Sequence, residues 1–183
     1  FIFVKIQTKY SMALIKSIKN FTPIFSKNVF LAENSTVIGD VIIGENTSIW
    51  YNTVIRGDVG KIKIGNNVNI QDGVVIHSSF KKSKTIIGNN ITIGHNAIIH
   101  GCSIKDNVMI GMGAIIMDNS IIEKNTIIAA GSVVLENTII KSGQVFGGVP
   151  ARRIKKITEN EANQLTTYMA KNYIKYSNWH KEI

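Results

Sequence analysis

Apolar residues recur along this chain at every sixth position. The series runs Leu31, Val37, Ile43, Ile49 and Ile55, then resumes after three extra residues at Ile64, Ile70 and Ile76. Five further residues intervene before Ile87, Ile93 and Ile99. One residue is then dropped, and Ile104, Ile110, Ile116, Ile122, Ile128, Val134, Ile140 and Phe146 complete nineteen register positions. Gly, Asn, Asp or Ala commonly follows each one, as in Ile43-Gly44-Glu45-Asn46 and Ile87-Gly88-Asn89-Asn90. A helical period of 3.6 cannot generate a six-residue step, and two-residue alternation breaks at every Gly-Asn turn. Six residues per side with a turn between sides describes a coil of three short, flat strands. One β-branched residue per side then points into a triangular core, and stacked coils pair through parallel hydrogen bonds about 4.7–4.9 Å apart. Asn and Gly suit corners that need φ > 0.

The pattern therefore predicts an all-β, parallel β-helix of hexapeptide repeats over residues 23–151, with about six triangular coils. Pro150 ends the repeats. Residues 152–183 read as a linker and a C-terminal α-helix packed on the coil. Thr158-Glu159-Asn160-Glu161 offers an N-cap with a carboxylate at the third helical position, and Leu165, Tyr168, Met169, Asn172, Tyr173 and Tyr176 fall near one face. Trp179-His180 is a candidate anchor for the end of this helix. Residues 1–22 read as an N-terminal extension with the natural start at Met12. The first acidic residue is Glu33, which leaves organellar targeting by residues 1–30 open.

Composition narrows the choice of chemistry. A chain of 183 residues suits one domain. The formal net charge of +9 is spread over scattered lysines without interleaved aromatics, so neither nucleic acid nor membrane is an expected partner. The one cysteine, Cys102, excludes an internal disulfide and a thiolate zinc site, and fits a reducing, cytoplasmic setting.

The register assigns each polar residue to a face. Ile76 and Ile99 lie three sides apart, so His77 and His100, each directly after its isoleucine, point outward one above the other. Arg56 sits one coil below His77 in the same column. In the neighbouring column Asp72 lies beneath His95, with Gln71 beside it. His95 is thus around a corner from the other two histidines. One chain could gather all three there. Two identical prisms meeting do so more easily, and repetition by 120° closes a ring of three with a site at each interface. Three imidazoles are a Zn²⁺-type ligand set that leaves a fourth position for water, with Fe²⁺ or Co²⁺ also acceptable. Such an ion lowers the pKa of its water to about 7 and supplies hydroxide at neutral pH. Arg56, Asp58, Gln71 and Asp72 complete the constellation, either orienting ligands or locking subunits together.

Ile55-Arg56-Gly57-Asp58, Asn69-Ile70-Gln71-Asp72, His77, Gly94-His95-Asn96 and His100-Gly101-Cys102 together resemble the gamma-class carbonic anhydrase family. The similarity runs from about residue 20 to the end, through Gly147-Gly148-Val149-Pro150-Ala151 and the terminal helix. The resemblance implies a left-handed coil, a homotrimer, zinc on His77, His95 and His100, and reversible hydration of carbon dioxide to bicarbonate by a metal-bound hydroxide. Gln71, Arg56, Asp58 and Asp72 match the family's other site residues, and Tyr168 would line the site from the terminal helix. The acidic residues that active members use to export protons are missing. Val59-Gly60-Lys61 follows Asp58, and the insertion after His77 is short and basic, as in the shorter bacterial homologues. Two other functions fit the same repeat. One is acyl transfer from acetyl-coenzyme A, with a histidine as general base. The other is a weakly active or non-catalytic metal-binding trimer.

Overall fold

The six-residue step becomes a triangular prism in the computed structural model, which describes residues 13–180. The first face stacks Leu14–Lys16, the first halves of the long strands Thr36–Ile43 and Val54–Ile64, then Val75–His77, Ile98–His100, Ile115–Ile116 and Val133–Val134. The second face stacks Ile24–Phe25, the second halves of those long strands, Thr85–Ile87, Ser103–Ile104, Ile121–Ile122 and Ile139–Ile140. Phe30–Leu31, Ser48–Ile49, Asn69–Ile70, Thr92–Ile93, Met109–Ile110, Ile127–Ile128 and Gln144–Gly147 make the third. Each face carries seven parallel strands, so this left-handed β-helix has about seven coils rather than six. The added coil arises because parallel pairing already begins at Leu14, opposite Thr36, whereas the coil was expected from residue 23. The proposed start at Met12 lies outside the described residues. Among those residues, no helix is long and apolar enough to cross a membrane.

The core is the isoleucine series itself. Every register position from Val37 to Ile140 is at most 2% exposed. Leu31 and Phe146, in the first and last coils, are only partly buried because each lacks a neighbouring coil on one side. Strand alternation turns the residue two places earlier inward as well. That position holds Ile62, Val68, Val74, Ile91 and Val108 in some sides and the smaller Ala97, Cys102, Ala114, Ser120 and Ser132 in others. The serines satisfy their hydroxyls locally, Ser120 Oγ donating to Met117 O and Ser132 Oγ to Ala129 O, each at 2.7 Å. Burial pushes the Cys102 thiol up to about 12, so it stays an inert core group.

One corner is an asparagine ladder. Asn46, Asn67, Asn90, Asn107 and Asn125 all hold φ between 54° and 57°. Their side-chain amides chain from coil to coil, at 3.0 Å from Asn67 to Asn90 and 3.2 Å from Asn90 to Asn107. The short amide tolerates the left-handed backbone and bonds the next coil at once.

After the repeats, Arg152–Lys156 returns antiparallel to Gln144–Gly147. The helix Glu159–Trp179 then starts on the expected capping box, Glu161 N donating to Thr158 Oγ1 at 3.2 Å and Thr158 N to Glu161 Oε2 at 2.8 Å. It lies on the third face, against Ser48–Ile49 and Thr92–Ile93. Of the side chains expected on one face, Leu165, Met169, Asn172, Tyr173 and Tyr176 are half-buried, and the fully buried positions are smaller residues beside them. Ala162, Thr166, Ala170 and Ser177 are buried, while Tyr168 is 64% exposed. Small residues make up the fully buried positions, while Tyr173 and Tyr176 pack beside them against the Phe30 and Trp50 rings, Tyr173 meeting Trp50 edge-on at 5.4 Å. His180 anchors the end. Its Nδ1 lies 2.9 Å from the Tyr51 hydroxyl, and its ring meets Trp50 edge-on at 5.3 Å.

Candidate metal centre

The parallel register places His100 directly over His77 on the first face. Their rings lie 5.3 Å apart between centroids, and His77 Nδ1 faces His100 Nε2 at 3.3 Å. The outer nitrogen of each ring meets a carboxylate. His77 Nε2 is 3.0 Å from Asp58 Oδ1, and His100 Nδ1 is 3.2 Å from Asp118 Oδ2. A carboxylate can only accept, so each outer nitrogen carries its ring's proton. Each neutral imidazole is then left with a lone pair on its inner nitrogen, and the two lone pairs point at one another. That arrangement is repulsive unless a cation or a shared proton stands between them. As a donor set it suits an imidazole-seeking divalent ion, and the carboxylate behind each ring is the orienting partner that metal-bound histidines usually have.

Arg56 lies one coil below and closes on Asp58 rather than reaching upward, with Nη1 2.6 Å from Asp58 Oδ2. Both Asp58 oxygens are therefore engaged, one by arginine and one by histidine. Burial alone would raise the Asp58 carboxyl, but the hydrogen bonds from Arg56 and His77 outweigh it and hold the group below the usual carboxylate range. The Asp118 carboxyl behaves likewise. Its burial is outweighed by hydrogen bonds from Ser83, Ser79 and His100.

His95 sits at the corner that separates the third face from the first. Its Nδ1 is 2.8 Å from Asp72 Oδ2, which leaves Nε2 as the free donor on a side chain 40% exposed. Gln71 is buried beside it. Its Oε1 accepts from the His95 backbone N–H at 3.2 Å, and its Nε2 donates to Asn69 at 3.1 Å. The glutamine thus holds the turn that carries His95. Tyr168 stands exposed on the terminal helix.

Within one chain, and among the described residues, no group of three or more His, Cys, Asp or Glu side chains lies close enough together to hold a metal ion. One chain brings together His77, His100, Asp58, Arg56 and Asp118. It leaves the His95–Asp72 pair around the corner. Sequence reasoning passed over Asp118, though the register carried the signal: it follows Ile116 by two, one coil above Gly101 and so next to His100. Around the histidine pair the first face presents an in-register apolar column, Val54, Val75, Ile98, Ile115 and Val133, with Val75 39% and Ile98 38% exposed.

The coil and its corner chemistry define a hexapeptide-repeat protein. The family described as bacterial transferase hexapeptide (six repeats) matches residues 23–57 and 101–136. A protein from Geobacillus kaustophilus named carbonic anhydrase is 38% identical over 170 residues, covering 93% of this chain and 92% of its own length. Gamma carbonic anhydrase 2, mitochondrial, from Arabidopsis thaliana is 45% identical over 164 residues, covering 87% of this chain. The chain spans only 59% of that plant protein's length. The crystal structure of a hexapeptide transferase family protein from Anaplasma phagocytophilum superposes with a TM-score of 0.84 at 41% identity, covering 90% of this chain and 96% of that one. The chain belongs to the gamma-carbonic-anhydrase-like family of hexapeptide-repeat proteins.

Proposed function

We propose that this chain is a metal-binding homotrimer of the gamma-carbonic-anhydrase kind, weakly active in hydrating carbon dioxide to bicarbonate. The observation that carries the reading is the pair of facing nitrogens on His77 and His100, 3.3 Å apart, each backed by a carboxylate on its far side. His95 is the third ligand, supplied by the neighbouring subunit with its free Nε2. The exposed apolar column on the histidine face supplies the contact surface, and a heterologous contact repeated by 120° gives three sites. The imidazole set suits Zn²⁺, Fe²⁺ or Co²⁺.

When bound, such an ion acts as a Lewis acid and brings the pKa of water toward 7. The chain's own residues do the rest. Asp58, Asp72 and Asp118 accept the outer ring protons of His77, His95 and His100 and fix which nitrogen is free. Arg56 uses one edge of its guanidinium on Asp58, and its side chain stays 43% exposed, so the other edge is available to an anionic product such as bicarbonate. Gln71 keeps the His95 turn in place. Proton export is the weak step. Both Asp58 oxygens are occupied, and the segments flanking the site, Val59-Gly60-Lys61 and Phe80-Lys81-Lys82-Ser83-Lys84, carry no carboxylate. A reducing, cytoplasmic setting accords with one buried, unreactive thiol.

The test is complementation. His95→Ala and His100→Ala chains should each bind no zinc alone, whereas a mixture refolded together should regain part of the metal and part of the hydration rate seen by stopped flow. A mixture that recovers nothing, while the wild-type protein binds zinc as a monomer, would refute the shared site. Full metal occupancy without hydration would assign a non-catalytic role to the same trimer. A second reading, acyl transfer, draws support from the transferase names of the matching family and of the structural relative. Acetyl-coenzyme A binding by calorimetry on a sample that holds no metal would favour it.

A further inference from the structure

Asp118 is the most heavily engaged carboxylate of the first face. Its side chain is 8% exposed, and three side chains from two separate segments converge on it. His100 Nδ1 lies 3.2 Å from Oδ2, Ser79 Oγ donates to the same oxygen at 3.0 Å, and Ser83 Oγ donates to Oδ1. Ser79 and Ser83 bracket the basic insertion that interrupts the repeat after His77. The loop is further tied down by Ser79 N donating to Ser83 Oγ at 3.0 Å. Its other polar ends reach the same coil, since Thr85 Oγ1 donates to His77 O at 2.7 Å and accepts from Gly101 N at 3.0 Å. Gly101, at φ +57°, leaves the space into which the carboxylate and Ser83 fit.

We propose that Asp118 is the positioning residue of His100 and, through the two serines, the clasp that holds residues 79–84 beside the histidine pair. His77 has Asp58 and His95 has Asp72; Asp118 gives His100 the same service, so that each of the three imidazoles is oriented by its own carboxylate. Without it the His100 ring is free to rotate or to exchange tautomers, and Nε2 no longer points at His77. Both effects come from one buried anion, so the loop and the ring are coupled. The inference rests on the metal reading only for what His100 binds.

The experiment compares Asp118→Ala, Asp118→Asn and the double variant S79A/S83A with wild type, using three readouts. The first is zinc affinity by chelator competition. The second is the His100 tautomer in zinc-stripped protein by long-range proton–nitrogen spectra. The third is the rate of tryptic cleavage after Lys81, Lys82 and Lys84. D118A should weaken zinc about 10–100-fold, lose the Nδ1-protonated signature of His100, and be cut faster in the loop. S79A/S83A should be cut faster yet keep the His100 signature, which separates the clasp from the positioning role. D118N keeps the side chain's shape and carries the comparison should D118A fail to fold. Its amide must turn an N–H toward either the serines or His100, so one of the two readouts has to change. An unaltered tautomer and unaltered zinc affinity in D118A would overturn the proposal, as would a D118N protein, should D118A fail to fold, in which tautomer, zinc affinity and loop cleavage are all unaltered. Wild-type protein that takes up no zinc would defeat the metal reading instead, and the tautomer and cleavage comparisons would still decide the role of Asp118.

Discussion

Replacing Gly101 by alanine tests the packing of this site against a built-in control. Gly101 and Gly131 both lie at corners with positive φ, +57° and +66°. A Cβ built on Gly131 meets no atom within 4 Å, whereas one on Gly101 overlaps Asp118 Oδ1 and Ser83 Oγ and comes 2.7 Å from Ser83 Cβ. Alanine in the left-handed region costs about 1–2 kcal/mol. The stiffer unfolded chain returns about 0.4–1 kcal/mol of that. Gly131→Ala should therefore destabilise by about 0.5–1.5 kcal/mol. Gly101→Ala bears the same backbone term and must also push the carboxylate off Ser83 or off His100. A hydrogen bond to a charged group contributes about 1.5–3 kcal/mol, and the Asp118 side chain is too buried for water to replace it freely. The expected total is about 2–4.5 kcal/mol. Urea unfolding followed by circular dichroism, at one protein concentration because assembly contributes to stability, measures both variants. Should the two agree within about 0.5 kcal/mol, the Asp118 contacts move without cost and the site is far softer than its geometry implies.

Two further outcomes follow from the same geometry. Asn90→Ala removes ladder bonds of 3.0 and 3.2 Å and puts alanine at φ +55°, so a loss of about 2–3 kcal/mol is expected; an unfolding midpoint like that of wild type would show the ladder to be incidental. Asp58 and Asp118 have folded carboxyl groups held below the usual value, so the unfolded chain binds more protons as acid is added. Their stabilisation is present above the unfolded pKa near 3.9 and is lost as pH falls through the lower folded value. Asp58→Asn should accordingly be less stable than wild type at pH 7, with the gap closing below about pH 4; a gap that stays constant across a pH series would refute this.

The sequence by itself determined the coil. A six-residue isoleucine step fixes which residues of each side face inward and which outward, and that arithmetic stacked His100 on His77, put Arg56 beneath them and set His95 above Asp72 around the corner, because β-pairing in a regular coil is fixed by register alone. It could not determine what lies outside the register. The coil count depended on whether Leu14–Lys16 pairs with Thr36–Ile43, a choice made by the exposed end of the prism and not by the period. The terminal helix buried Ala162, Thr166 and Ala170 fully, half-buried Tyr173 and Tyr176, and left Tyr168 exposed, because the part of an apolar stripe that meets the coil depends on how the helix docks, and hydropathy does not encode that. Gln71 closed on the His95 backbone N–H of the next coil, and Arg56 on Asp58 along its own strand, since rotamers answer to the partners the packed structure leaves within reach. Asp118 stands beside His100 by register, but Ser79 and Ser83 converged on it only because the 79–84 insertion folded back over it. A long-range convergence of three side chains on one carboxylate is decided by the tertiary structure, where burial leaves each polar group no partner except those the fold supplies.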